Sequence, residues 1–354
     1  MRLVIALYKL DTQGMQNLSV MSRIEGVSAA VKLTKQFTEG QGTAFWQDKK
    51  ALRAIFLAPE YAFARSLAKG QGDHSFGTKR QMEEDYVKEK LRPEFGSLSQ
   101  KFENALIVPG TVAWRKSLLP ATGSKNRTRS QVESDRRQKY EGRLQDGINV
   151  NLQMSQADTF NESSTVFPNT FKRGDDPRSS VDTMQDKLDR LETARYIAKN
   201  TAHCYYNGDC VYKYNKIGDF YEVPEQNPDT VMVPNRGSTV SGTSVGPGRF
   251  SVAGLDFGIS ICYDQSLSVQ STGPVKTFEP LQSTDGPVDI HLLLSAHIPP
   301  DLWAANLNDP GLLLSCSSKD HCNKVLWNTG QQVRPSKRVR FNANAVLDLY
   351  VLDN

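Results

Sequence analysis

Cys262 is the residue of this 354-residue chain best placed to act as a nucleophile. It ends a segment, residues 255–262, in which apolar residues alternate with small or polar ones, the period-two pattern of a β-strand with one buried face. The polar run Tyr-Asp-Gln-Ser follows, so the thiol lies where a strand gives way to a turn. A rigid strand end beside a cleft suits a nucleophile. The alternative is a buried, inert cysteine, which is common in protein cores.

Two further apolar strands end in residues that could act with this thiol. Residues 54–61, Ala-Ile-Phe-Leu-Ala-Pro-Glu-Tyr, deliver Glu60, and residues 212–219, Tyr-Lys-Tyr-Asn-Lys-Ile-Gly-Asp, deliver Lys216 after a hairpin. A single strand-end glutamate is usually a surface residue, and a hairpin lysine is usually solvated. Together with Cys262, however, the two residues supply a base, a cation and a nucleophile, which are the groups that thiol-dependent hydrolysis needs.

The three motifs, in this order, resemble those of the nitrilase superfamily, the carbon–nitrogen hydrolases. The superfamily pattern is an apolar strand with Pro-Glu, then Tyr-x-Lys, then Gly-x-x-Ile-Cys-Tyr-Asp. This chain reads Leu-Ala-Pro-Glu, Tyr-Asn-Lys-Ile and Gly-Ile-Ser-Ile-Cys-Tyr-Asp. The resemblance covers roughly residues 1–113 and 192–310. It implies an α/β fold, a four-layer α-β-β-α sandwich in one domain spanning 1–354, with helices on the outer faces of two packed sheets.

Amide hydrolysis through a thiol gives each motif residue a role, and the resemblance implies the same roles. Glu60 would take the thiol proton and return it to the leaving amine. Lys216 would stabilise the oxyanion of the tetrahedral intermediate and favour thiolate character in Cys262. The backbone N–H of Tyr263 would be a second oxyanion donor. An acyl-enzyme would form and be released by water.

The resemblance also implies residues around this triad. Superfamily members often place a second glutamate beyond the lysine, where it orients lysine and substrate. Glu222 and Glu225 both fit, and the spacing does not separate them. Ser295 and His297 follow a predicted buried strand over 288–294, where the superfamily places active-site walls. We therefore expect both to line the substrate pocket.

No metal or organic cofactor is expected. His203 and His291 fall inside predicted strands, where histidines are more often packed than used as ligands. The chain has no His-x-x-x-His or Cys-x-x-Cys spacing typical of a metal site.

The five cysteines are odd in number and are not spaced like a disulfide framework. Two pairs are close enough in sequence to cross-link, namely Cys204 with Cys210 and Cys316 with Cys322. A reducing, cytoplasmic location is the simpler interpretation. No apolar run is long enough to span a membrane, and the apolar stretch at the N-terminus is too short for a signal peptide.

A polar and basic insertion at about 115–182 separates the first third of the chain from the hairpin that carries Lys216. Between positions 115 and 143 it has nine Lys and Arg against three Asp and Glu. We expect it to rim the Cys262 cleft, to be too polar to bury a core of its own, and to contain a helix capped by Asp182. The basic run is either a solvated surface or an attractor of anionic substrates; the absence of interleaved aromatics argues against nucleic acid.

Local signals predict several other elements. The first third alternates β-α-β-α-β, with a helix over 80–91 that ends at Pro93. Asn207-Gly208 marks the turn of a β-hairpin. Residues 303–314 are predicted to be helical in part, and 343–352 to form the last strand.

The sequence departs from the superfamily after the cysteine. Tyr263-Asp264 resembles the amidase-like branch, whereas nitrile hydrolases more often carry Trp-Glu. Superfamily chains commonly continue with an Arg-Phe-Pro-type segment, but here residues 265–268 read Gln-Ser-Leu-Ser. An arginine that recognises a substrate carboxylate is therefore missing at that place.

These observations favour a hydrolase of a non-peptide carbon–nitrogen bond, with an amide as the first choice of substrate. Its partner would be a small amide, with anionic character favoured by the basic insertion. Two alternatives stay open: an inactive nitrilase-fold binding or scaffold protein, and an acyltransferase with the same triad. A homodimer is expected only by analogy with the fold.

Overall fold

A computed structural model describes residues 2–11, 18–42, 51–63, 82–119, 126–155, 177–216, 229–232, 248–266, 268–270, 278–280, 286–296 and 298–353. The strands are β1 Arg2–Leu10, β2 Ala54–Leu57, β3 Met82–Glu83, β4 Ala105–Val108, β5 Thr111–Ser117, β6 Tyr196–Tyr206, β7 Asp209–Asn215, β8 Thr230–Met232, β9 Arg249–Val252, β10 Leu255–Ile261, β11 Ser268–Gln270, β12 Phe278–Pro280, β13 Val288–Ser295, β14 Leu307–Ser317, β15 Lys324–Trp327, β16 Gln332–Val333, β17 Lys337–Asn342 and β18 Ala345–Asp353. The helices are α1 Val20–Glu39, α2 Glu84–Tyr86, α3 Arg92–Gln100, α4 Arg129–Ser155, α5 Pro177–Thr193 and α6 Leu302–Ala305.

Two large sheets organise these elements. One follows the order β17-β18-β1-β2-β4-β6-β5-β3, with β7 and β8 also paired to β6, and the other follows β16-β15-β14-β13-β10-β9. Strands β1, β2 and β4 are parallel to one another, and so are β10, β13 and β14. The carboxyl ends of parallel strands meet at one edge of their sheet. Glu60 lies just beyond such an end in the larger sheet, after β2, and Cys262 lies beyond one in the smaller sheet, after β10.

The main core lies between the two sheets. In β1, Leu3, Ile5 and Leu7 face the second sheet, while Val4 and Ala6 face the opposite side. This is the period-two alternation of a strand that is buried on both faces.

Helices cover the outer faces of the sheets. α1 and α3 pack on the outer face of the larger sheet through a second apolar cluster, to which Val27 and Phe95 belong. On the smaller sheet the outer layer includes the short helix α6, whose Ala305 packs with Leu293 of β13 and Leu313 of β14. The predicted α/β class with an α-β-β-α arrangement is therefore confirmed. No helix in the described ranges combines the length and apolarity that a membrane crossing requires.

Several local predictions can be compared with these elements. Asn207 and Gly208 both have positive φ, 50° and 96°, so they form the predicted hairpin turn between β6 and β7. The prediction that a helix ends at Pro93 is wrong. A π-helical turn over Val87–Leu91 leads directly into α3, and Pro93 occupies the first turn of that helix, where its missing N–H is tolerated. After α6, residues from Leu307 onward form β14 rather than more helix.

The region at about 115–182 contains more structure than its composition suggested. Its helices α4 and α5 pack on each other, and Leu118, Tyr140 and Leu144 join Leu191 and Ile197 in a small buried cluster. The cluster is shared with residues outside 115–182, so it is not a core of the segment's own. A few well-spaced apolar residues suffice because they pack against the end of an existing sheet.

The predicted cap of the insertion helix is also wrong. α5 begins at Pro177, so Asp182 lies within the helix rather than at its N-terminus. Proline is well suited to the first turn of a helix and is an alternative start signal five residues earlier. That the whole chain forms one domain stays a prediction.

Candidate active site

Three strand ends place Glu60, Lys216 and Cys262 next to one another. Glu60 lies three residues beyond β2, Lys216 directly follows β7, and Cys262 begins a 3-10 turn directly after β10. Their exposed fractions are 0%, 2% and 2%. The site is thus built from both sheets, and its polar side chains are withdrawn from water.

The Glu60 carboxylate is the centre of this cluster. Its Oε1 accepts hydrogen bonds from Lys216 Nζ and from Asn200 Nδ2, each at 2.9 Å. Its Oε2 accepts one from the backbone N–H of Ala296 at 3.2 Å. A buried carboxylate is tolerated only when it is paired and hydrogen-bonded, and both conditions are met here.

The thiol of Cys262 lies close enough to Glu60 for the carboxylate to act on its pKa. Burial, followed by the negative charge of Glu60, raises the pKa of this thiol well above its ordinary value, while Lys216 and a hydrogen bond from the Ala296 backbone act in the opposite direction. The resting thiol is therefore protonated at neutral pH. The nearby Glu60 carboxylate is a group that can accept its proton.

Unusual backbone conformations surround these groups. Cys262 and Tyr61 have φ values of 54° and 59°, in the left-handed region that non-glycine residues seldom adopt. Gly110 has a φ of 98°, and a Cβ atom there would lie 2.5 Å from Ala62 Cβ and 2.6 Å from the Pro59 carbonyl oxygen. Strained conformations of this kind concentrate at functional sites, where the surrounding structure holds them.

The wall beside the triad is a small apolar cluster of Tyr61, Ala113 and Ala296. The ammonium group of Lys216 lies 5.9 Å from the centre of the Tyr61 ring, within the range of a cation–π interaction. The Tyr61 backbone N–H donates to Thr111 Oγ1 at 2.8 Å, which fixes the turn after Glu60.

The turn after the cysteine is held by two buried contacts. Tyr214 donates its hydroxyl proton to Asp264 Oδ2 at 2.8 Å, linking β7 to the cysteine turn. Gln265 donates to the Pro299 carbonyl oxygen at 2.6 Å and accepts from the Asp301 N–H at 3.2 Å. Gln265 therefore connects the cysteine turn to the chain segment after β13 and is not an equivalent of the missing arginine.

Of the remaining predicted site residues, the structure describes Ser295 and the backbone of Tyr263. Ser295 is buried, accepts a hydrogen bond from the Ile298 N–H at 2.6 Å and donates to the Ile298 carbonyl at 3.2 Å, so it closes a turn. Tyr263 lies in the 3-10 turn, with its side chain outside the described part of the structure. Glu222, Glu225 and His297 lie outside the described residues altogether.

Two buried histidines, His203 and His291, are packed within strands. His291 Nε2 lies 2.9 Å from Ser260 Oγ, and burial lowers the pKa of His291 to about 4. His203 is also buried, and its pKa is lowered well below the ordinary value by burial, then by Lys213 and Arg92. Within the described ranges no group of His, Cys, Asp and Glu side chains could hold a metal ion. All five cysteines are free.

The sequence did not indicate two hydrogen-bond donors to Glu60, namely the Asn200 amide and the Ala296 N–H. Asn200 was recognisable as a polar residue inside an otherwise buried strand, a pattern that indicates a satisfied buried partner. A backbone N–H has no signature in the sequence. Its importance comes only from the meeting of the ends of β2 and β13.

Comparison with known proteins gives remote structural likenesses. No protein-family model matches the chain, and no curated protein is similar to it in sequence. An amidase of the nitrilase superfamily from Nesterenkonia is 11% identical with a TM-score of 0.43, over 99% of this chain and 90% of that one. A CN-hydrolase superfamily protein from Xanthomonas campestris is 8% identical with a TM-score of 0.39, over 99% and 91%.

A glutamine-dependent NAD(+) synthetase from Cytophaga hutchinsonii is 11% identical with a TM-score of 0.41, over 99% of this chain but only 43% of the synthetase. This chain therefore spans less than half the length of that enzyme.

Proposed function

We propose that this chain is a carbon–nitrogen hydrolase of the nitrilase superfamily that cleaves a non-peptide amide through Cys262. One observation carries the proposal. The buried Glu60 carboxylate lies 2.9 Å from the Lys216 ammonium group, and its charge raises the pKa of the neighbouring Cys262 thiol. A base, a nucleophile and a cation are thus gathered at one buried place, and titratable groups with perturbed pKa values concentrate at functional sites.

The first half of the reaction follows from this contact. As Cys262 Sγ attacks the amide carbon, its proton passes to Glu60, and negative charge builds on the carbonyl oxygen. Lys216 and the backbone N–H of Tyr263 stabilise that charge. The carbon–nitrogen bond then breaks, Glu60 returns the proton to the leaving amine, and a thioester joins the acyl group to Cys262.

Water completes the cycle. Glu60, again a carboxylate, accepts a proton from a water molecule as its oxygen attacks the thioester carbon. The carbon–sulfur bond breaks, the acid leaves, and the proton restores the thiol of Cys262. No other proton acceptor is required, because the same carboxylate serves both halves.

Intact-protein mass spectrometry tests this proposal. The wild-type chain is mixed with a panel of primary amides and quenched in acid. It is expected to gain the mass of an acyl group, and a proteolytic digest should place that mass on the peptide that contains Cys262. Cys262→Ala should neither gain this mass nor release ammonia. Normal turnover by Cys262→Ala would overturn the assignment of the nucleophile.

Adduct formation, together with thiol labelling and product analysis, distinguishes the alternative functions. An inactive scaffold would show no adduct with any amide and a Cys262 that reacts with iodoacetamide no faster than Cys204. An acyltransferase would form the adduct but would pass the acyl group to an added amine in preference to water. Chromatographic analysis of the products separates these outcomes.

A further inference from the structure

Glu60 lies beyond the part of β2 that the sheet holds. The pairing of β2 with β4 ends at Leu57 and Val108 and is followed by one more hydrogen bond, from the Ala58 N–H to the Val108 carbonyl oxygen at 3.0 Å. Glu60 follows two residues later, in a turn where Tyr61 has its left-handed φ of 59°. A catalytic group must be held to within about 0.5 Å of its productive position. Contacts other than the pairing of β2 must therefore fix the backbone here.

Thr111, the first residue of β5, makes these contacts. Its N–H donates to the Pro59 carbonyl oxygen at 3.3 Å, and its Oγ1 accepts from the Tyr61 N–H at 2.8 Å. The Pro59 carbonyl belongs to the peptide group before Glu60, and the Tyr61 N–H belongs to the peptide group after it. One residue therefore holds both peptide groups that flank Glu60.

The pairing continues past this turn. The Phe63 N–H donates to the Thr111 carbonyl oxygen at 3.1 Å, and the Ala113 N–H donates to the Phe63 carbonyl oxygen at 3.0 Å. Phe63 and Val112 form a parallel bridge. Thr111 is fully buried, so its hydrogen bonds are made away from bulk water, where they are electrostatically stronger.

The hydrogen bond to the Tyr61 N–H is the one that depends on the side chain at position 111. Any residue there would offer its carbonyl oxygen, and any except proline would offer its N–H. An acceptor attached directly to Cβ is a property of serine and threonine, and the branched Cβ of threonine also restricts its rotamers. Without the hydroxyl, the Tyr61 N–H would lose its acceptor in a buried turn, which is costly.

Gly110 allows Thr111 to approach this turn. A Cβ atom at position 110 would lie 2.6 Å from the Pro59 carbonyl oxygen, the same atom that accepts from the Thr111 N–H. Glycine lacks that atom and also tolerates the φ of 98° found here. The two residues thus act together: Gly110 permits the close approach, and Thr111 forms the hydrogen bonds.

We infer that Thr111 is a positioning residue, whose hydroxyl fixes the turn at Glu60 and so places the Glu60 carboxylate beside Cys262 and Lys216. The inference rests on the proposed function. Asn200 and Ala296 hold the carboxylate itself, whereas Thr111 holds the backbone that carries it.

The rate of Cys262 alkylation tests this inference without requiring turnover. Thr111→Val removes the hydroxyl and keeps the branched Cβ. The released turn lets the carboxylate move away from Cys262, and its charge then raises the pKa of the thiol less. Iodoacetamide at a fixed, mildly alkaline pH should therefore label the Cys262 peptide about 2- to 10-fold faster than in the wild type, the effect of up to one pKa unit.

The same substitution in Glu60→Gln separates positioning from general loosening of the fold. If Thr111 acts through the Glu60 carboxylate, removing that charge should abolish its effect. Thr111→Val should then change the alkylation rate of Glu60→Gln by less than about 1.5-fold, a non-additivity that residues acting through one another show. Thr111→Ala loses the hydroxyl without a methyl group in its place and should give the same pair of results.

Two further variants provide the rescue and the control. Thr111→Ser keeps the hydroxyl and should restore the wild-type alkylation rate. Thr34 is also fully buried, and its hydroxyl donates to the Ala30 carbonyl oxygen at 2.8 Å within α1. Thr34→Val removes a comparable hydrogen bond and should leave the alkylation of Cys262 unchanged in both the wild-type and the Glu60→Gln chain.

Turnover gives a second readout. Because a displaced base slows the chemical step, Thr111→Val should lower kcat about 10- to 100-fold and leave KM within about threefold of the wild type. Alkylation that is unchanged in both Thr111→Val and Thr111→Ala, equally faster in the Glu60→Gln background, or equally faster in Thr34→Val overturns the inference. The proposed function fails separately, if wild-type Cys262 forms no acyl adduct with any amide.

Discussion

Lys216 Nζ lies 2.9 Å from Glu60 Oε1, and both side chains are almost completely buried. The two charges act in opposite directions on the neighbouring thiol: Glu60 raises the pKa of Cys262 and Lys216 lowers it. Because burial also raises that pKa, the resting site favours a neutral thiol beside an ion pair. Removing the Glu60 charge should therefore increase the reactivity of Cys262, and removing the Lys216 charge should decrease it.

Glu60→Gln should make the thiol more reactive while impairing catalysis. Removing the carboxylate lowers the pKa of Cys262, so alkylation by iodoacetamide at a fixed, mildly alkaline pH should become faster. Amide turnover should fall about 10²- to 10⁴-fold, the usual contribution of a general base. Stopped-flow alkylation and an ammonia-release assay measure the two effects. Slower alkylation in this variant would contradict the electrostatic role assigned to Glu60.

Lys216→Met should slow both reactions. Methionine has a similar length and no charge, so the pKa of Cys262 rises further and less thiolate is present at any given pH. The oxyanion also loses its cation. The control is Lys199→Met, on the outer face of β6, which should leave the alkylation rate of Cys262 unchanged. Equal slowing in both variants would show that the effect is not specific to the site.

The sequence indicated Glu60, Lys216 and Cys262 because each directly follows or closely trails a strand with a readable pattern. It could not indicate the partners that arrive from distant strands. Asn200 contacts Glu60 across 140 positions, and Thr111 contacts Tyr61 across 50. Such contacts depend on strand order and pairing, which local periodicity does not encode.

The same limitation explains why the sequence did not predict the packing of the insertion. Residues 129–155 have no clear apolar stripe, yet they form a long helix whose Tyr140 and Leu144 are buried. Its polar composition does not indicate this burial. The surface that buries these two side chains, the end of the larger sheet, was not visible in the segment itself.

Acid should destabilise the protein through its buried histidines. Burial lowers the pKa of His291 to about 4 in the folded state, against about 6.5 when unfolded. The unfolded state therefore binds more protons below pH 6.5, and stability present above that pH is lost as the pH falls toward 4. Between pH 6.5 and 5.0 this costs about 2 kcal/mol. His203 acts in the same direction.

Urea unfolding at pH 7.5 and pH 5.0 measures this loss. His291→Asn should make the free energy of unfolding less dependent on pH, because the side chain that titrates only when unfolded is gone. The same replacement at the exposed His321 is the control for the substitution itself. An undiminished pH dependence in His291→Asn would contradict the assignment.

Gly110→Ala should weaken both stability and catalysis. Alanine at a φ of 98° costs roughly 1–2 kcal/mol, and its Cβ would overlap Ala62 and the Pro59 carbonyl next to Glu60. Gly254→Ala is the matched control, since its φ is 79° and nothing lies within 4 Å of the added atom. We expect Gly110→Ala to be roughly 1–3 kcal/mol less stable than this control in urea unfolding. Its amide turnover should also fall, whereas equal stability of the two variants would exclude the close contact.

Leu144→Ala should loosen the insertion. Leu144 is fully buried in the cluster with Tyr140 and Leu191, so its truncation removes roughly 2–5 kcal/mol of packing energy. The packing holds α4, which in turn bonds the Ser117 carbonyl through Arg136. Hydrogen exchange followed by mass spectrometry should show faster exchange in α4 and α5, with little change in β1 and β2.

Gly142→Ala on the same helix provides the opposite change. Nothing lies within 4 Å of its added Cβ, so alanine should stabilise α4 by about 0.5–1 kcal/mol and slow its exchange. Unchanged exchange in Leu144→Ala would mean that this cluster does not hold the helices.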